Sequence, residues 1–349
     1  MDNLVLEYRD PIIGIILVVF LVFLISFFTY SYSIYKERIA RKDYRKLSRR
    51  FELGKLKEDD YVNLYKTYNL PFDSILLLAS TFLHQGDNNR AIAVYLELLE
   101  HTKDIVKKEE VLELLGNTYL KGGFLQRAND IYLKILKFSP RNKSVLKSLL
   151  IVCEKLKDFD KALQVLDSLN ELNVEVEKDR VYIKTLIVLN DSILSYEKRT
   201  QKLYELFHEN KAIERVFIQF LLQFNKEFFW QHIEEFDCKK AIDILWYQNK
   251  EDIDFNSAKK SRFLEEVYNA KGYIETLNKS DDFTLDILIL ATQQKKELQA
   301  SLNFEFICNS CKHLHPFFET RCPNCHSILT LEVKYYIVKG FFIENQSLQ

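Results

Sequence analysis

The sequence predicts a mainly α-helical chain in three parts: a single N-terminal transmembrane helix, a solenoid of paired helices, and a small C-terminal ribbon held by four cysteines. Three observations predict it. Residues 11–35 form an uncharged apolar run, one hydrophobic pattern recurs around three alanines spaced 37 and 34 residues apart, and two Cys-x-x-Cys pairs stand near the C-terminus.

A shortage of chain breakers supports the helical reading. The 349 residues include 8 Gly and 5 Pro, with no proline between Pro140 and Pro316 and no glycine between Gly123 and Gly272. A β-sandwich or barrel needs a turn roughly every 8–12 residues, usually built with Gly or Pro. Helices joined by Asn, Asp and Lys turns fit better. With 47% hydrophobic and 28% charged residues, the chain reads as globular and long enough to bury a core. Its 19 Tyr and 26 Phe suit the holes between packed helices. A net charge of -1 supplies no global basic field, so nucleic acid is not an expected partner.

The first element is the membrane helix, residues 11–35. A bilayer core about 30 Å thick takes roughly 20 helical residues. Residues 12–28 are almost wholly aliphatic or aromatic, and Tyr30, Tyr32 and Tyr35 suit an interfacial belt. Before the run stands one basic residue, Arg9; after it come Lys36, Arg38, Arg41, Lys42, Arg45, Lys46, Arg49 and Arg50. That asymmetry puts everything after residue 36 in the cytoplasm of a single-pass protein, with residues 1–10 across the membrane. A cleaved signal peptide would have a basic start, a shorter apolar run and a small-residue cleavage site, none of which is present. The basic cluster that opens the juxtamembrane segment, residues 36–70, also suits membrane lipid of anionic character or a partner, although topology alone accounts for it.

The second element is the helical array, residues 71–300. Around Ala91, Ala128 and Ala162 the same positions recur. The first unit, about residues 72–105, has Ile75, Leu78, Ala79, Phe82, Gly86, Ala91, Tyr95 and Leu98. The second, about 109–142, has Leu112, Leu115, Gly116, Tyr119, Gly123, Ala128, Tyr132, Ile135 and Pro140. The third, about 143–176, has Leu146, Leu149, Leu150, Cys153, Ala162, Leu166 and Leu169. This is the tetratricopeptide pattern, in which small residues meet rings so that two antiparallel helices can approach. Gly116 and Ala128 are the small residues, and Tyr119 and Tyr132 the rings. After residue 177 the pattern degenerates, although residues 178–189, 192–207, 213–224, 228–245 and 262–273 still read as helices. A concave surface for partners is expected, with Asn117, Lys121, Asn129 and Lys147 as exposed polar candidates.

The third element is the ribbon, residues 301–340, followed by a tail at 341–349. Cys308-Asn309-Ser310-Cys311 and Cys322-Pro323-Asn324-Cys325 are separated by ten residues. Each turn can aim two thiolates at one point, and two turns complete a tetrahedral S4 site. Cys308, Cys311, Cys322 and Cys325 are thus the expected metal ligands. Residues 329–338 alternate as a strand. His313, His315 and His326 read as surface residues, and Cys153 and Cys238 as buried small hydrophobes. An S4 site suits zinc or iron; rubredoxins usually carry glycine after each knuckle, where Lys312 and His326 stand here, so one structural zinc ion is preferred to iron. Four protein ligands leave no position for substrate water. No nucleophile elbow, phosphate-binding loop, dinucleotide fingerprint or zinc-protease helix motif is present, so no catalytic residue and no organic cofactor is expected.

Anchor, repeats and knuckles in that order resemble the lipopolysaccharide assembly protein B family of Gram-negative inner membranes. The resemblance rests on the anchor with its basic stretch, on residues 115–120 (Leu-Gly-Asn-Thr-Tyr-Leu) through Arg127-Ala128, and on the C-terminal cysteine pairs. It implies a single-pass protein of the bacterial inner membrane with residues 1–10 in the periplasm, and a rubredoxin-like metal-binding knuckle packed on the helical array. It also implies a non-enzymatic adaptor that coordinates lipopolysaccharide synthesis by presenting the committed lipid A deacetylase to a membrane ATP-dependent protease. The implied partners are that protease and the lipid A and lipopolysaccharide synthesis enzymes; a homo-oligomer is left open. Alternatives are a membrane-tethered assembly factor for another envelope complex and a rubredoxin-type electron carrier.

Overall fold

The computed structural model describes residues 11–52, 72–294 and 300–339, so the expected N-terminus at 1–10, the stretch 53–71 and the tail at 341–349 lie outside the described residues. The chain divides into two compact units, residues 1–156 and 157–349, and the division falls inside the expected third repeat.

The first unit opens with α1, Pro11–Glu52, an unbroken helix of 42 residues. Within it Leu17–Lys36 has a mean hydropathy of 2.1, is 0% buried, and is long and apolar enough to cross a membrane. Side chains such as Val19, Phe23 and Phe28 stand more than half exposed on a helix apolar all round. Such a helix has no stable place in water. The Thr29 hydroxyl donates back to the carbonyl oxygens of Ile25 (2.9 Å) and Ser26 (3.0 Å), which satisfies that hydroxyl within its own helix.

Five helices follow: α2 Phe72–His84, α3 Asn88–His101, α4 Ile105–Lys121, α5 Leu125–Leu136 and α6 Lys143–Leu156. The α2–α3 and α4–α5 turns are built alike. Each helix ends at a glycine in the left-handed region, Gly86 (φ 79°) and Gly123 (φ 78°). Next to it a backbone amide reaches back, Asp87 to the Phe82 carbonyl at 2.9 Å and Phe124 to the Tyr119 carbonyl at 2.8 Å. Asp87 caps α3 and Asp104 caps α4, accepting from the amides of Arg90 and Val106.

The repeat positions point inward. Ile75, Leu78, Ala79, Phe82, Ala91, Tyr95 and Leu98 are buried, and so are Leu112, Leu115, Tyr119, Ala128, Tyr132 and Ile135. The tightest point is Gly116 on α4: a Cβ there would stand 2.6 Å from Cε1 of Tyr132 on α5. The ring then donates its hydroxyl to Asn117 at 2.6 Å. Four and eight residues back on α4, Glu113 accepts from Ser144 (2.5 Å), and Glu109 accepts from Ser139 (2.8 Å) and Asn142 (3.0 Å). One polar face of α4 therefore fixes the register of α5, the α5–α6 turn and α6. Asn117, expected at an exposed surface, is half-buried and turned to this inner work; Asn129, expected there too, is buried and donates to its neighbour Asp130 at 3.1 Å. Lys121 and Lys147 are exposed.

The second unit holds α7 Phe159–Glu171, α8 Glu177–Asn190, α9 Tyr196–Glu209, α10 Glu214–Phe224, α11 Lys226–Gln231, α12 Ile242–Trp246, α13 Phe255–Ala258, α14 Arg262–Ala270 and α15 Phe283–Gln294. A helix was expected over 228–245, yet the chain breaks there into α11, two 3-10 turns at Ile233–Glu235 and Cys238–Ala241, and α12. The cause is tertiary. Phe229 and Phe236 both enter a ring cluster with Phe207 and Phe217, at centroid spacings of 5.2 to 5.8 Å. The buried carboxylate of Glu214 then takes the freed Asp237 amide (2.7 Å) and the Lys240 ammonium (2.6 Å). The Asp237 side chain accepts from the amide of Lys239, closing the turn locally.

The unit ends in a three-stranded antiparallel sheet of order β2-β1-β3, with β1 Ala300–Cys308, β2 Leu314–His315 and β3 Leu331–Lys339. β1 and β3 pair over nine residues, from Ala300 opposite Lys339 to Cys308 opposite Leu331. Leu302, Phe304 and Phe306 on β1 are buried and join the helical core of this unit.

Gly116→Ala should lower stability by about 1–3 kcal/mol, because the added methyl must displace Tyr132, and Gly116→Leu should cost more. Thermal melting of both variants checks this; an unchanged midpoint in Gly116→Leu would contradict the close approach. Tyr132→Phe should cost about 1 kcal/mol through the lost bond to Asn117.

Candidate metal centre

The two knuckles are local copies of one turn. In the first, the Cys308 amide donates to the His313 carbonyl (3.0 Å) and the Lys312 amide to the Cys308 carbonyl (2.8 Å). In the second, the Cys322 amide donates to the Ser327 carbonyl (2.9 Å) and the His326 amide to the Cys322 carbonyl (2.9 Å). Lys312 and His326 both take φ of 59°. These are the positions where glycine is usual, and each side chain there costs about 1–2 kcal/mol. The missing glycines therefore do not separate zinc from iron, since the backbone adopts the same turn without them.

The turns converge. The four Sγ atoms all lie within 4.8 Å of one another, with Cys308 to Cys325 at 3.6 Å and Cys311 to Cys322 at 3.7 Å. Four sulfurs each about 2.3 Å from one tetrahedral ion stand about 3.8 Å apart, so the donor set fits a four-coordinate metal. All four cysteines are free thiols. Cys308 and Cys322 are buried at 0% exposure, while Cys311 and Cys325 are half-buried.

Each sulfur has a polar side chain beside it. Thr330 Oγ1 lies 3.3 Å from Cys308, Ser327 Oγ 3.3 Å from Cys325, and His315 Nε2 3.4 Å from Cys322. The Asn324 side chain bonds Cys311. These groups and the turn amides act on the thiols unequally. Burial pushes Cys308 up, but bonds from Thr330 and the amides of Cys311 and Ser310 outweigh it and bring the thiol down to about 6. The Asn324 bond, with the His313 amide, also lowers Cys311. Burial dominates at Cys322 and pushes it up to about 12. Cys308 and Cys311 are thus eased toward the thiolate by their neighbours, whereas burial holds the proton on Cys322, a cost that a bound cation would offset. Four cysteines placed this way can bind a metal ion. His313 and His326 are exposed, and His315 meets a sulfur and completes no ligand set of its own.

The helices hold the second knuckle through groups that sequence reasoning missed. The Arg321 guanidinium donates to the His326 carbonyl (2.9 Å) and to Asp179 on α8 (3.0 Å). Thr320 shares a hydrogen bond with Tyr182, also on α8, at 2.7 Å. Phe318 stacks under the Arg215 guanidinium at 3.8 Å, and Arg215 forms a bidentate pair with Asp243 at 2.6 and 2.7 Å. Arg215 is 6% exposed, yet it opens an apolar helix where a solvated cation is the ordinary expectation, so nothing in the sequence marks it.

The remaining thiol of this unit behaves differently. Burial, with Asp237 and Glu214 nearby, pushes Cys238 up to about 12. The folded chain holds that proton more tightly than the unfolded chain, so the stability it contributes is full below about pH 9 and lost as pH rises toward 12. Iodoacetamide at about pH 8 should leave Cys238 unmodified until the chain is unfolded, as peptide mass spectrometry can check; modification of the native chain would contradict its burial. Cys322→Ser should leave the purified chain without its ion. Metal analysis that finds the ion still bound at full occupancy would refute the ligand assignment.

The family model for the tetratricopeptide repeat matches residues 74–105. No curated protein sequence matches the chain. Among solved structures, a tetratricopeptide repeat protein from Parabacteroides merdae is similar at 14% identity and a TM-score of 0.37, covering 72% of this chain and 99% of that one. That likeness is distant, and the fold stands on the hairpins themselves. The chain is mostly helical, a tetratricopeptide-like solenoid with one N-terminal apolar helix and a C-terminal cluster of four cysteines.

Proposed function

We propose that this chain is a non-enzymatic adaptor of the bacterial inner membrane. The span Leu17–Lys36 anchors it, and the basic residues that follow keep the bulk of the chain in the cytoplasm. The hairpins offer surface to protein partners. Cys308, Cys311, Cys322 and Cys325 hold one structural ion. Bracing the ribbon needs no redox change, so zinc suffices and is preferred to iron. The observation that carries this reading is the order of parts: an apolar helix with a basic edge, tetratricopeptide hairpins, and a closed tetrathiolate site without a free coordination position.

The finer reading follows the resemblance to the lipopolysaccharide assembly protein B family. In it the chain coordinates lipopolysaccharide synthesis by bringing the committed lipid A deacetylase to a membrane ATP-dependent protease. Deleting the gene in its own bacterium should raise both the deacetylase and lipopolysaccharide, read by immunoblot and by lipid analysis. Unchanged levels of both would sink the lipid A assignment. Crosslinking in native membranes should then recover a different envelope complex.

A further inference from the structure

We infer that the second knuckle is a metal-set latch: the ion fixes Arg321 and Thr320 against α8, while the strand arms of the ribbon dock without it. The inference rests on the reading that the four thiols hold an ion, and it adds what that ion controls.

Two sets of attachments tie the ribbon to the helices of its unit. The first belongs to the arms. β1 and β3 pair over nine residues, and Leu302, Phe304 and Phe306 are buried in the helical core. The Trp246 indole donates to Ser301 at 3.4 Å, and Tyr335 donates to Asp282 at 2.6 Å. None of these groups lies in a knuckle turn. The second set sits in the two residues before Cys322. Thr320 bonds Tyr182, and Arg321 bonds Asp179. Phe318, under Arg215, packs on Phe306 of β1 at 5.7 Å and belongs with the arms.

Arg321 joins the two ends of the device. One of its terminal nitrogens holds the carbonyl of His326, the left-handed residue that closes the second knuckle, and the other holds α8. The His326 conformation is costly for a side-chain-bearing residue and persists where the surroundings enforce it. Cys322 and Cys325, pinned to a common centre, supply that enforcement. When the centre is lost, the turn relaxes, the carbonyl swings away, and Arg321 loses the partner that aims it at Asp179. The coupling must be reciprocal: whatever factor the ion adds to docking of α8, docking adds to affinity for the ion.

The full-length chain in detergent, loaded with zinc or stripped by a chelator, provides the test. Hydrogen exchange followed by mass spectrometry should show faster exchange at residues 177–190 and 316–327 after stripping, with residues 300–306, 333–339 and 262–270 unchanged. Faster exchange throughout the ribbon would mean that the ion holds the whole sheet, and no change at 177–190 would mean that the knuckle docks without it; either overturns the latch. Asp179→Asn lies on α8, away from the ligands, and should weaken zinc binding about tenfold in competition with a chromophoric chelator. Unchanged zinc affinity in that variant removes the latch and leaves the ion. A wild-type chain that takes up neither zinc nor cobalt removes the ion itself, and the latch with it.

Discussion

No helix of this chain can bury its apolar face alone, and the close approach of a small residue to a ring is what lets two of them share the burial. At Gly116 the backbone of α4 comes so near Tyr132 that a single methyl would collide with the ring. That proximity sets the hairpin, and the polar face of α4 passes the setting on to α5 and α6 through Asn117, Glu113 and Glu109. Apolar contact supplies the stability and the hydrogen bonds supply the register, since each buried polar atom must find its partner at one offset.

A comparable division of labour appears in the second unit. A cluster of phenylalanines fills the interior, and buried carboxylates restrain the chain where helices give way to turns. Glu214 binds the turn at Asp237, and Glu266 accepts from Ser280 before α15. The four-cysteine ribbon ends the unit with β strands whose inner side chains extend the same core. Neighbouring hydroxyl and amide groups lower Cys308 and Cys311, while burial raises Cys322, so the four thiols of the cluster are unequal before any cation arrives.

Much of this was legible in the sequence. The recurrence around Ala91, Ala128 and Ala162 marked the inward-facing positions, because helical periodicity depends on local spacing alone. The cysteine pairs marked the centre, because two tight turns can bring four sulfurs together without knowledge of the rest of the fold. What failed to show were features decided at long range. Residues 228–245 carry a helical pattern without Gly or Pro, yet rings from α9 and α10 pull Phe229 and Phe236 inward and the helix breaks. Asp179, Tyr182 and Arg215 look like ordinary helix-surface residues until the ribbon arrives more than a hundred positions later. Asn117 reads as solvated for a similar reason: its polarity is visible in sequence, but its partner Tyr132 across the hairpin is not.

The continuity of α1 has a mechanical meaning. Beyond Lys36 the helix runs without interruption to Glu52, about 24 Å of axis at 1.5 Å per residue. Along such an unbroken axis each residue added or removed moves the far end by one step and turns it by about 100°. An insertion just after Lys36 would therefore rotate the backbone up to Glu52 against the apolar span, so the two segments of α1 share one fixed phase.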